Sequence, residues 1–303
     1  MITVLHRRAF LKQAALAGAA IAVTPSATRS RFIGPPGPQT RAELQARNRS
    51  FFANAKNRPE VIAHRGGAKQ WPEETLFAFR NAVNIGVDVL EMDVRSTRDN
   101  HLVLMHNRTV KNTTNGMRAV RELSLAQLRE LDAGYRWSSD GKTFPFRGQG
   151  LSVATLEEVF RAFPQMRMNI EIKQREPSLV APLAEMITAF NMTDKVLVAS
   201  RWASVINDFR QASPDVATSA SLEELWDFMR RDFPASADAL QVEGNLALIR
   251  LFDKRHLDLA HSRGFHVHVW TVNRIAQMRR WIDWGVDGII TVYPGPLLSL
   301  LGR

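Results

Sequence analysis

Cysteine is absent from all 303 residues, and this absence removes several kinds of chemistry at once. Without a thiol the chain can form no disulfide, no cysteine-ligated zinc site, no thiolate nucleophile and no lipidated N-terminal cysteine. The sequence also has no apolar run near the ~20 residues that cross a membrane as a helix, so we expect no stable membrane span. With 45% apolar and 23% charged residues, the composition is that of a globular protein.

A surface for nucleic acid is not expected either, although the formal net charge is +10. The first fifty residues hold eight Lys/Arg and one acidic residue, Glu43, so +7 of the excess lies there and only +3 in the rest of the chain. The basic charge therefore belongs to an N-terminal leader and not to a phosphate-binding face.

The leader resembles an export signal. Arg-Arg-x-Phe-Leu-Lys at residues 7–12 is followed by a short, small-residue apolar run at 14–23. A charged start and a short apolar middle are typical of secretory signals, and the paired arginines resemble a twin-arginine signal. An amphipathic N-terminal helix fits less well because the run is rich in Ala and Gly. We expect residues 1–27 to be the signal, residues 28–57 a linker, and the protein to be periplasmic or secreted.

From residue 58 onward, short β-branched apolar runs alternate with helix-length amphipathic segments. Eight such runs predict an α/β fold of the (β/α)8 TIM-barrel type. A doubly wound open sheet is the alternative, but no Gly-x-Gly-x-x-Gly follows the first predicted strand. The predicted strands are 61–64, 88–94, 168–173, 195–200, 216–220, 239–243, 266–271 and 288–293.

A ninth apolar run, residues 101–106, follows the second strand too closely for a parallel crossover and predicts an antiparallel hairpin. A two-residue turn at Asp99-Asn100 pairs positions whose numbers sum to about 199, which places His106 beside Asp93. The long segment 107–154 comes next. Because long insertions in compact domains are usually functional or disordered, and this one is rich in aromatic residues, we expect a cap over the barrel.

Charged residues occupy two strands that should be buried on both faces. Glu91 and Asp93 point to one side and Met92 to the other, and Glu171 and Lys173 likewise share a side. Such groups need a metal, a substrate or each other, and pairing with one lysine leaves excess negative charge. Three convergent carboxylates predict a site for one hard divalent cation, Mg²⁺ or Ca²⁺.

The first strand ends in His64-Arg65, which a core-filling strand does not need. A guanidinium fork suits phosphoryl oxygens. With His106 folded back towards the acids, two imidazoles would flank the metal. One could take a proton from the attacking group while the other gives one to the leaving oxygen, which is a constellation for phosphodiester cleavage.

These residues lie within an ordered set of motifs that resembles the glycerophosphodiester phosphodiesterases over nearly all of residues 60–297. Each motif is weak alone, but the order makes the set specific. The motifs are His64-Arg65-Gly66, Pro72-Glu73-Glu74-Thr75, Glu91-Met92-Asp93, the histidine of Val-Leu-Met-His at 103–106, Glu171-Ile172-Lys173 and Trp-Thr-Val-Asn at 270–273.

The resemblance implies a barrel with an inserted cap that cleaves small-molecule glycerophosphodiesters to sn-glycerol 3-phosphate and an alcohol. It implies His64 and His106 as the acid–base pair, Arg65 as a phosphate contact, and Glu91, Asp93 and Glu171 as metal ligands. We place Lys173 and Trp270 among the substrate-binding residues, with Trp270 lining the pocket. Oligomeric state does not follow from the sequence.

Four positions depart from the family pattern. Glu74 and Asn107 stand where Asn and Asp are usual, and Asn112 and Val292 replace an expected Arg and Asp. None is among the predicted catalytic or metal residues. Asn107 is predicted to shift the pKa of His106, and Glu74 to alter the turn beneath the phosphate.

Outside the predicted site, Glu73 is interpreted as a support for Arg65, Glu243 as a hydrogen-bonding or salt-bridging residue, and His266 and His268 as hydrogen-bonded interior or entry-face histidines. Two alternative functions stay open. One is a lysophospholipase D or sphingomyelinase D-like activity, for which the cap would provide an apolar groove. The other is a non-catalytic barrel that binds a phosphate ligand.

Overall fold

The computed structural model describes residues 50–53, 58–231, 236–244 and 252–303. The predicted signal and most of the predicted linker lie outside these residues. Within them, no helix combines the length and the apolar character that a membrane crossing requires.

Eight parallel strands form the barrel in the order β6-β5-β4-β2-β1-β9-β8-β7, and a parallel bridge between Ser219 and Ala239 joins the two ends. The predicted barrel is therefore confirmed, and the open sheet is excluded. The strands are β1 (Glu60–Ala63), β2 (Val89–Ser96), β3 (Leu102–Leu104), β4 (Arg167–Ile172), β5 (Val196–Ala199), β6 (Ala217–Thr218), β7 (Ala239–Glu243), β8 (His266–Trp270) and β9 (Gly288–Thr291), of which β3 is antiparallel to β2.

Helices connect the parallel strands on the outside of the barrel. Several begin at a hydroxyl cap, as at Thr75, whose side chain accepts a hydrogen bond from the backbone N–H of Ala78. The helices are α1 (Leu76–Asn84), α2 (Leu125–Arg129), α3 (Leu156–Ala162), α4 (Val180–Ala189), α5 (Ala203–Ala212), α6 (Leu222–Arg231), α7 (Lys254–Ser262), α8 (Ile275–Trp284) and α9 (Pro294–Leu300).

Alternation along each strand divides the buried side chains between two layers. On β2, Leu90, Met92 and Val94 join the large apolar layer between strands and helices. Val89 belongs to a smaller cluster with residues such as Ile62, Leu197 and Ile290. Glu91 and Asp93 alternate with the outer residues, so the period of two directs both carboxylates into the barrel.

The hairpin after β2 is present, but its register differs by one position from the prediction. Val94 pairs with Leu104 and Ser96 with Leu102, so paired positions sum to 198. The reason is a three-residue turn, bracketed by Thr97 and His101, in which Asn100 adopts a left-handed φ of 65°. Met105 therefore stands opposite Asp93, and His106 lies one residue beyond it, past the end of β3 at Leu104.

The cap, residues 107–154, is ordered around its own apolar cluster, which includes Val110, Val120, Leu128 and Val153. It is tied to the active-site side of the barrel by the indole N–H of Trp137, which donates to the carbonyl of Ala68 at 3.0 Å. The cap thus packs beside the turn that follows β1.

The N-terminal mouth of the barrel is closed by residues 50–53, the described part of the predicted linker. Phe51 and Phe52 are buried, and the Phe52 ring stacks on His266 at 3.8 Å. Arg167 donates to the carbonyl of Phe51 and pairs with Glu60 at 2.6 Å. This segment therefore forms the floor of the barrel.

His268 is an interior residue, as predicted, but it is not hydrogen-bonded. It is 1% exposed, and neither ring nitrogen has a hydrogen-bond partner among the described residues. His266 Nδ1 also forms no hydrogen bond there, although it lies 3.9 Å from Asp287 Oδ1. The His268 ring lies beside Phe52, with 6.1 Å between the ring centroids, and so close to Gly288 that a Cβ there would lie 2.8 Å from its Cδ2. Burial lowers the pKa of His268 to about 3.

We expect the buried neutral His268 to lower the free energy of unfolding in mild acid. The unfolded chain binds a proton at this residue below its ordinary pKa of about 6.5, whereas the folded chain does so only near 3. Stability is therefore lost as pH falls through that window, by up to about 1.4 kcal/mol per pH unit. Urea unfolding at neutral pH and near pH 5 should show a smaller acid-induced loss for His268→Leu than for the wild type. Equal losses would contradict this account.

Candidate active site

The turn after β1 presents His64 and Arg65 at the C-terminal end of the barrel. Residues 64–66 form a tight turn in which Arg65 takes a left-handed conformation, with φ 51° and ψ 36°. A bulky residue reaches this region at a cost of about 1–3 kcal/mol. The backbone N–H of Arg65 donates to Glu91 Oε2 at 2.8 Å, so the strained turn is fixed against the carboxylate on β2.

Three carboxylates meet where β2 and β4 run side by side. Asp93 and Glu171 are register partners, and Glu91 lies one inward position earlier on β2. One oxygen from each of the three lies within 4.8 Å of the others. The structure therefore brings together the three residues that the sequence predicted as metal ligands.

Two cations neutralise this cluster only in part. Lys173 Nζ lies 2.7 Å from Glu171 Oε2 and 3.3 Å from Asp93 Oδ1. Arg65 Nε lies 3.0 Å from Asp93 Oδ2. These are ion pairs without hydrogen-bond geometry at Asp93, whose two buried oxygens have no hydrogen-bond donor among the described residues. Pairing with Lys173 alone thus leaves negative charge uncompensated.

The pKa values of the acids record the same imbalance. Burial, and then the charge of Asp93, raise the pKa of Glu91 well above its usual value and also raise that of Glu171. Burial would raise the pKa of Asp93 as well, but Lys173 and Arg65 outweigh it and the pKa is lowered. A set of crowded oxygen donors short of positive charge fits a hard divalent cation.

Glu73 and Glu74 form hydrogen bonds to Arg65 and Asp93, two residues of this charged cluster. Glu73 accepts from Arg65 Nη1 at 3.2 Å, as predicted. Glu74, at the position where the family usually has Asn, is 2% exposed, and its Oε1 accepts from the backbone N–H of Asp93 at 2.9 Å. Burial, and then Asp93, raise the pKa of Glu74 well above its usual value. Its contact with the carboxylate cluster could not be inferred from sequence, because Glu74 precedes Asp93 by nineteen positions and lies on another element.

His64 and His106 both face the cavity at the carboxylate cluster. His64 Nε2 lies 3.8 Å from Glu91 Oε2, and burial followed by the charge of Arg65 lowers its pKa to about 3. Burial lowers the pKa of His106 to about 4, against an opposing effect of Asp93. Both imidazoles are therefore neutral near pH 7.

The backbone of His106 is held in place although β3 has ended. Arg95 donates twice to the carbonyl of His106, at 2.8 and 3.1 Å. The ring nitrogen Nδ1 lies 3.3 Å from the side-chain oxygen of Asn107, where the family usually has Asp. When Nδ1 carries the proton it donates to Asn107, and Nε2 is left free to exchange a proton with a substrate.

A cavity of about 450 Å³ extends from these groups across the end of the barrel. Of the predicted site residues, all but Asp93 line it, including Lys173 and, at the rim, Trp270, which is 41% exposed. The indole N–H of Trp270 donates to the carbonyl of Gln241 at 3.2 Å. Glu243, which ends β7, also lines the cavity.

The opposite wall of the cavity is apolar and was not predicted. It is contributed by one face of α6 and by residue 252, not by the cap. The wall residues are Leu222, Leu225, Trp226, Met229 and Phe252. The first four follow i, i+3, i+4, i+7 spacing, a pattern that ordinarily indicates core packing. Only the tertiary structure shows that this helix face opens on the cavity.

Comparison with known proteins gives a consistent result. The profile of the glycerophosphoryl diester phosphodiesterase family matches residues 64–295. The glycerophosphodiester phosphodiesterase of Caldanaerobacter subterraneus is 33% identical over 80% of this chain and 98% of its own length. The lysophospholipase D GDPD1 of Mus musculus is 27% identical over 80% of this chain and 86% of its own.

Comparison with solved structures points to the same family. The crystal structure of a protein from Silicibacter pomeroyi, named as a glycerophosphoryl diester phosphodiesterase, superposes on this chain with a TM-score of 0.68. It is 26% identical, and the match covers 83% of this chain and 97% of that one.

Proposed function

Because this chain belongs to the glycerophosphoryl diester phosphodiesterase family, we propose that it hydrolyses glycerophosphodiesters to sn-glycerol 3-phosphate and an alcohol. We assign the reaction to one divalent cation, Mg²⁺ or Ca²⁺, held by Glu91, Asp93 and Glu171, and to acid–base catalysis by His64 and His106. The observation that carries the proposal is the convergence of the three carboxylate oxygens within 4.8 Å beside two histidines that line one cavity.

A cation bound to these carboxylates would supply Lewis-acid stabilisation of the charge that develops on the phosphoryl oxygens. Lys173 holds Glu171 and Asp93 at a fixed separation by its two short ion pairs. It thereby keeps the ligand oxygens converged before any cation arrives.

Arg65 is positioned to bind the phosphoryl group. Its Nε is engaged by Asp93 and its Nη1 by Glu73. Within the part of the chain that the structure describes, no hydrogen bond engages its Nη2. The hydrogen bond to Glu73 and the ion pair with Asp93 therefore hold the guanidinium at the cavity wall and leave N–H donors for a phosphate oxygen.

The histidines divide the proton transfers. A neutral imidazole serves as the base for the attacking hydroxyl group, and we assign this role to His64. The other must carry a proton to the departing alcohol, and the anionic diester favours protonation of His106 once it is bound. The Asn107 contact orients the His106 ring for this transfer.

The proposed reaction is tested by a head-group panel. Purified protein is incubated with glycerophosphodiesters that carry choline, ethanolamine, glycerol or inositol, and released glycerol 3-phosphate is measured with and without chelator. We expect release that stops with chelator and returns with Mg²⁺ or Ca²⁺. Release of the free head-group phosphate instead would show that the other ester bond is cut.

A lysophospholipase D activity is the second candidate, and the apolar wall on α6 favours it. Leu222, Leu225, Trp226 and Met229 offer a surface for an acyl chain next to the phosphate site. We expect Met229→Gln to raise KM for lysophosphatidylcholine roughly fivefold, since a buried methylene group contributes about 0.8 kcal/mol. Turnover of glycerophosphocholine should stay unchanged. Met229→Leu is the matched control, and equal effects of Met229→Gln on both substrates would reject the acyl-chain role.

We also propose that residues 1–27 direct export through a twin-arginine-type pathway. The support is the Arg-Arg-x-Phe-Leu-Lys motif before a short apolar run. Replacing Arg7-Arg8 by Lys-Lys should keep the protein in the cytoplasm, as measured by cell fractionation. Unchanged export of this variant would favour a general secretory signal.

A further inference from the structure

Large apolar side chains are exposed mainly at one end of the barrel. Among the described residues, six such side chains are exposed: Ile85, Met117, Leu222, Trp270, Ile275 and Tyr293. Leu222 and Ile275 begin α6 and α8, Trp270 ends β8, and Tyr293 immediately precedes α9. In a parallel barrel all four positions lie at the C-terminal ends of the strands, the end that bears the site.

The two remaining exposed side chains, Met117 and Ile85, differ in position. Met117, the most exposed at 67%, belongs to the cap that follows β3 and packs beside the active-site turn. Ile85 directly follows the last residue of α1 and therefore lies at the opposite end of the barrel. Four of the six side chains thus lie at the end of the barrel that bears the cavity, and a fifth belongs to the cap that packs at this end. A clustered exposed apolar surface marks an interaction site more often than scattered single residues do.

The same end of the barrel is positively charged. Its connecting loops carry exposed Lys69, Arg175, Arg201 and Arg274, opposed by exposed Glu176 in these loops and by exposed Glu223 in the first turn of α6. The cap at 107–154 adds eight Lys/Arg against four acidic residues. Since residues 51–303 together have a net charge of only +3, the remaining surface carries little or no positive excess.

We propose that this end of the barrel, the catalytic face, docks on an anionic lipid surface. The apolar rim would enter the headgroup region, where the aromatic rings of Trp270 and Tyr293 are favoured, and the lysines and arginines would lie against lipid phosphates. A second copy of this chain fits the face less well, because a two-fold interface would oppose two positive surfaces. The inference does not depend on which diester is hydrolysed.

The test is sedimentation with vesicles of phosphatidylcholine alone and of phosphatidylcholine containing phosphatidylglycerol. The wild type should bind the anionic vesicles and lose most of that binding when salt rises from about 0.1 to about 0.5 M. Met117→Ser and Ile275→Ser should each weaken binding roughly fivefold, given the apolar area withdrawn from the interface. Ile85→Ser, on the opposite end, is the matched control and should bind as the wild type does.

Charge is tested separately along one helix. Arg274→Glu, just before α8, should weaken binding to anionic vesicles roughly tenfold. The arginine contributes about 1 kcal/mol of attraction to anionic lipid, and the glutamate that replaces it is repelled. Arg280→Glu, in the second half of the same helix and also exposed, should have a much smaller effect. The two variants carry the same net charge, so only the position of the charge differs.

Several outcomes would overturn the proposal. The proposal fails if the wild type does not bind the anionic vesicles. It also fails if Ile85→Ser and Ile275→Ser lose binding equally. Light scattering that shows a dimer dissociated by Ile275→Ser would identify a second copy as the occupant instead. Met117 and Ile275 do not line the cavity, so their serine variants should keep wild-type turnover of a water-soluble diester without vesicles. That measurement separates lost docking from lost folding or a failed reaction assignment.

Discussion

Replacing Glu91, Asp93 or Glu171 by its amide is expected to lower turnover by about 10³-fold or more. A bound cation supplies several kcal/mol of charge stabilisation in the transition state, and each substitution removes one of the three converged ligands. Chelation of the wild type should have the same effect, and Mg²⁺ or Ca²⁺ should reverse it.

Thermal unfolding measures metal binding without any activity assay. A cation at about one hundred times its Kd should stabilise the wild type by about 2.7 kcal/mol, and the three variants by much less. Without metal, Glu171→Gln should be no less stable than the wild type, because burial and Asp93 already disfavour the charged form of Glu171. Replacing this carboxylate by an uncharged amide removes its repulsion with Asp93.

Met92→Leu is the control for these substitutions. Met92 is as buried as its neighbours but faces the layer between strands and helices. Its conservative replacement should cost less than about 1.5 kcal/mol of stability and leave turnover nearly unchanged. Full wild-type activity in excess chelator, with no metal in the purified protein, would sink the metal assignment.

The second large effect is expected at the two histidines. His64→Ala and His106→Ala should each reduce turnover of a natural diester by about 10²–10⁴-fold, the usual contribution of a general acid or base. If His106 is the acid, its loss should matter less for a nitrophenyl ester, whose leaving group needs no proton. His64→Ala should be impaired about equally on both substrates.

Comparing the two variants on these two substrates therefore shows which histidine is the general acid. A swapped pattern would make His64 the acid and leave the pair intact. Near-wild-type turnover of a natural diester by either alanine variant would exclude the two-histidine mechanism. Asn107→Ala serves as a milder probe of His106, because it removes the 3.3 Å contact to Nδ1 while both imidazoles remain.

The apolar wall of the cavity shows what a pattern alone does not decide. Leu222, Leu225, Trp226 and Met229 have the spacing of any amphipathic helix. The sequence directed attention to the cap for an acyl groove, and the mixed composition of the cap did not decide whether a groove is there. Spacing fixes which side chains share a face but not what that face meets. The meeting of α6 with the cavity depends on how the whole barrel closes.

The hairpin gives the same lesson on a smaller scale. The short distance between β2 and the next apolar run required an antiparallel pair, and this was confirmed. The register was one position off because the turn contains three residues with Asn100 left-handed, and both two- and three-residue turns satisfy the same sequence. His106 nevertheless reaches the cavity, since the chain leaves strand geometry after Leu104.

The sequence by itself determined the barrel, the inward direction of Glu91, Asp93 and Glu171, and the delivery of His64 and Arg65 at a strand end. These follow from local periodicity, which acts over a few residues and is written directly in the chain. Only the tertiary structure decided the contact of Glu74 with Asp93, the unpaired nitrogens of His268, the apolar wall and the exposed rim. Each of these depends on which distant side chains become neighbours, and burial and pairing energies arise only once the barrel has closed around them.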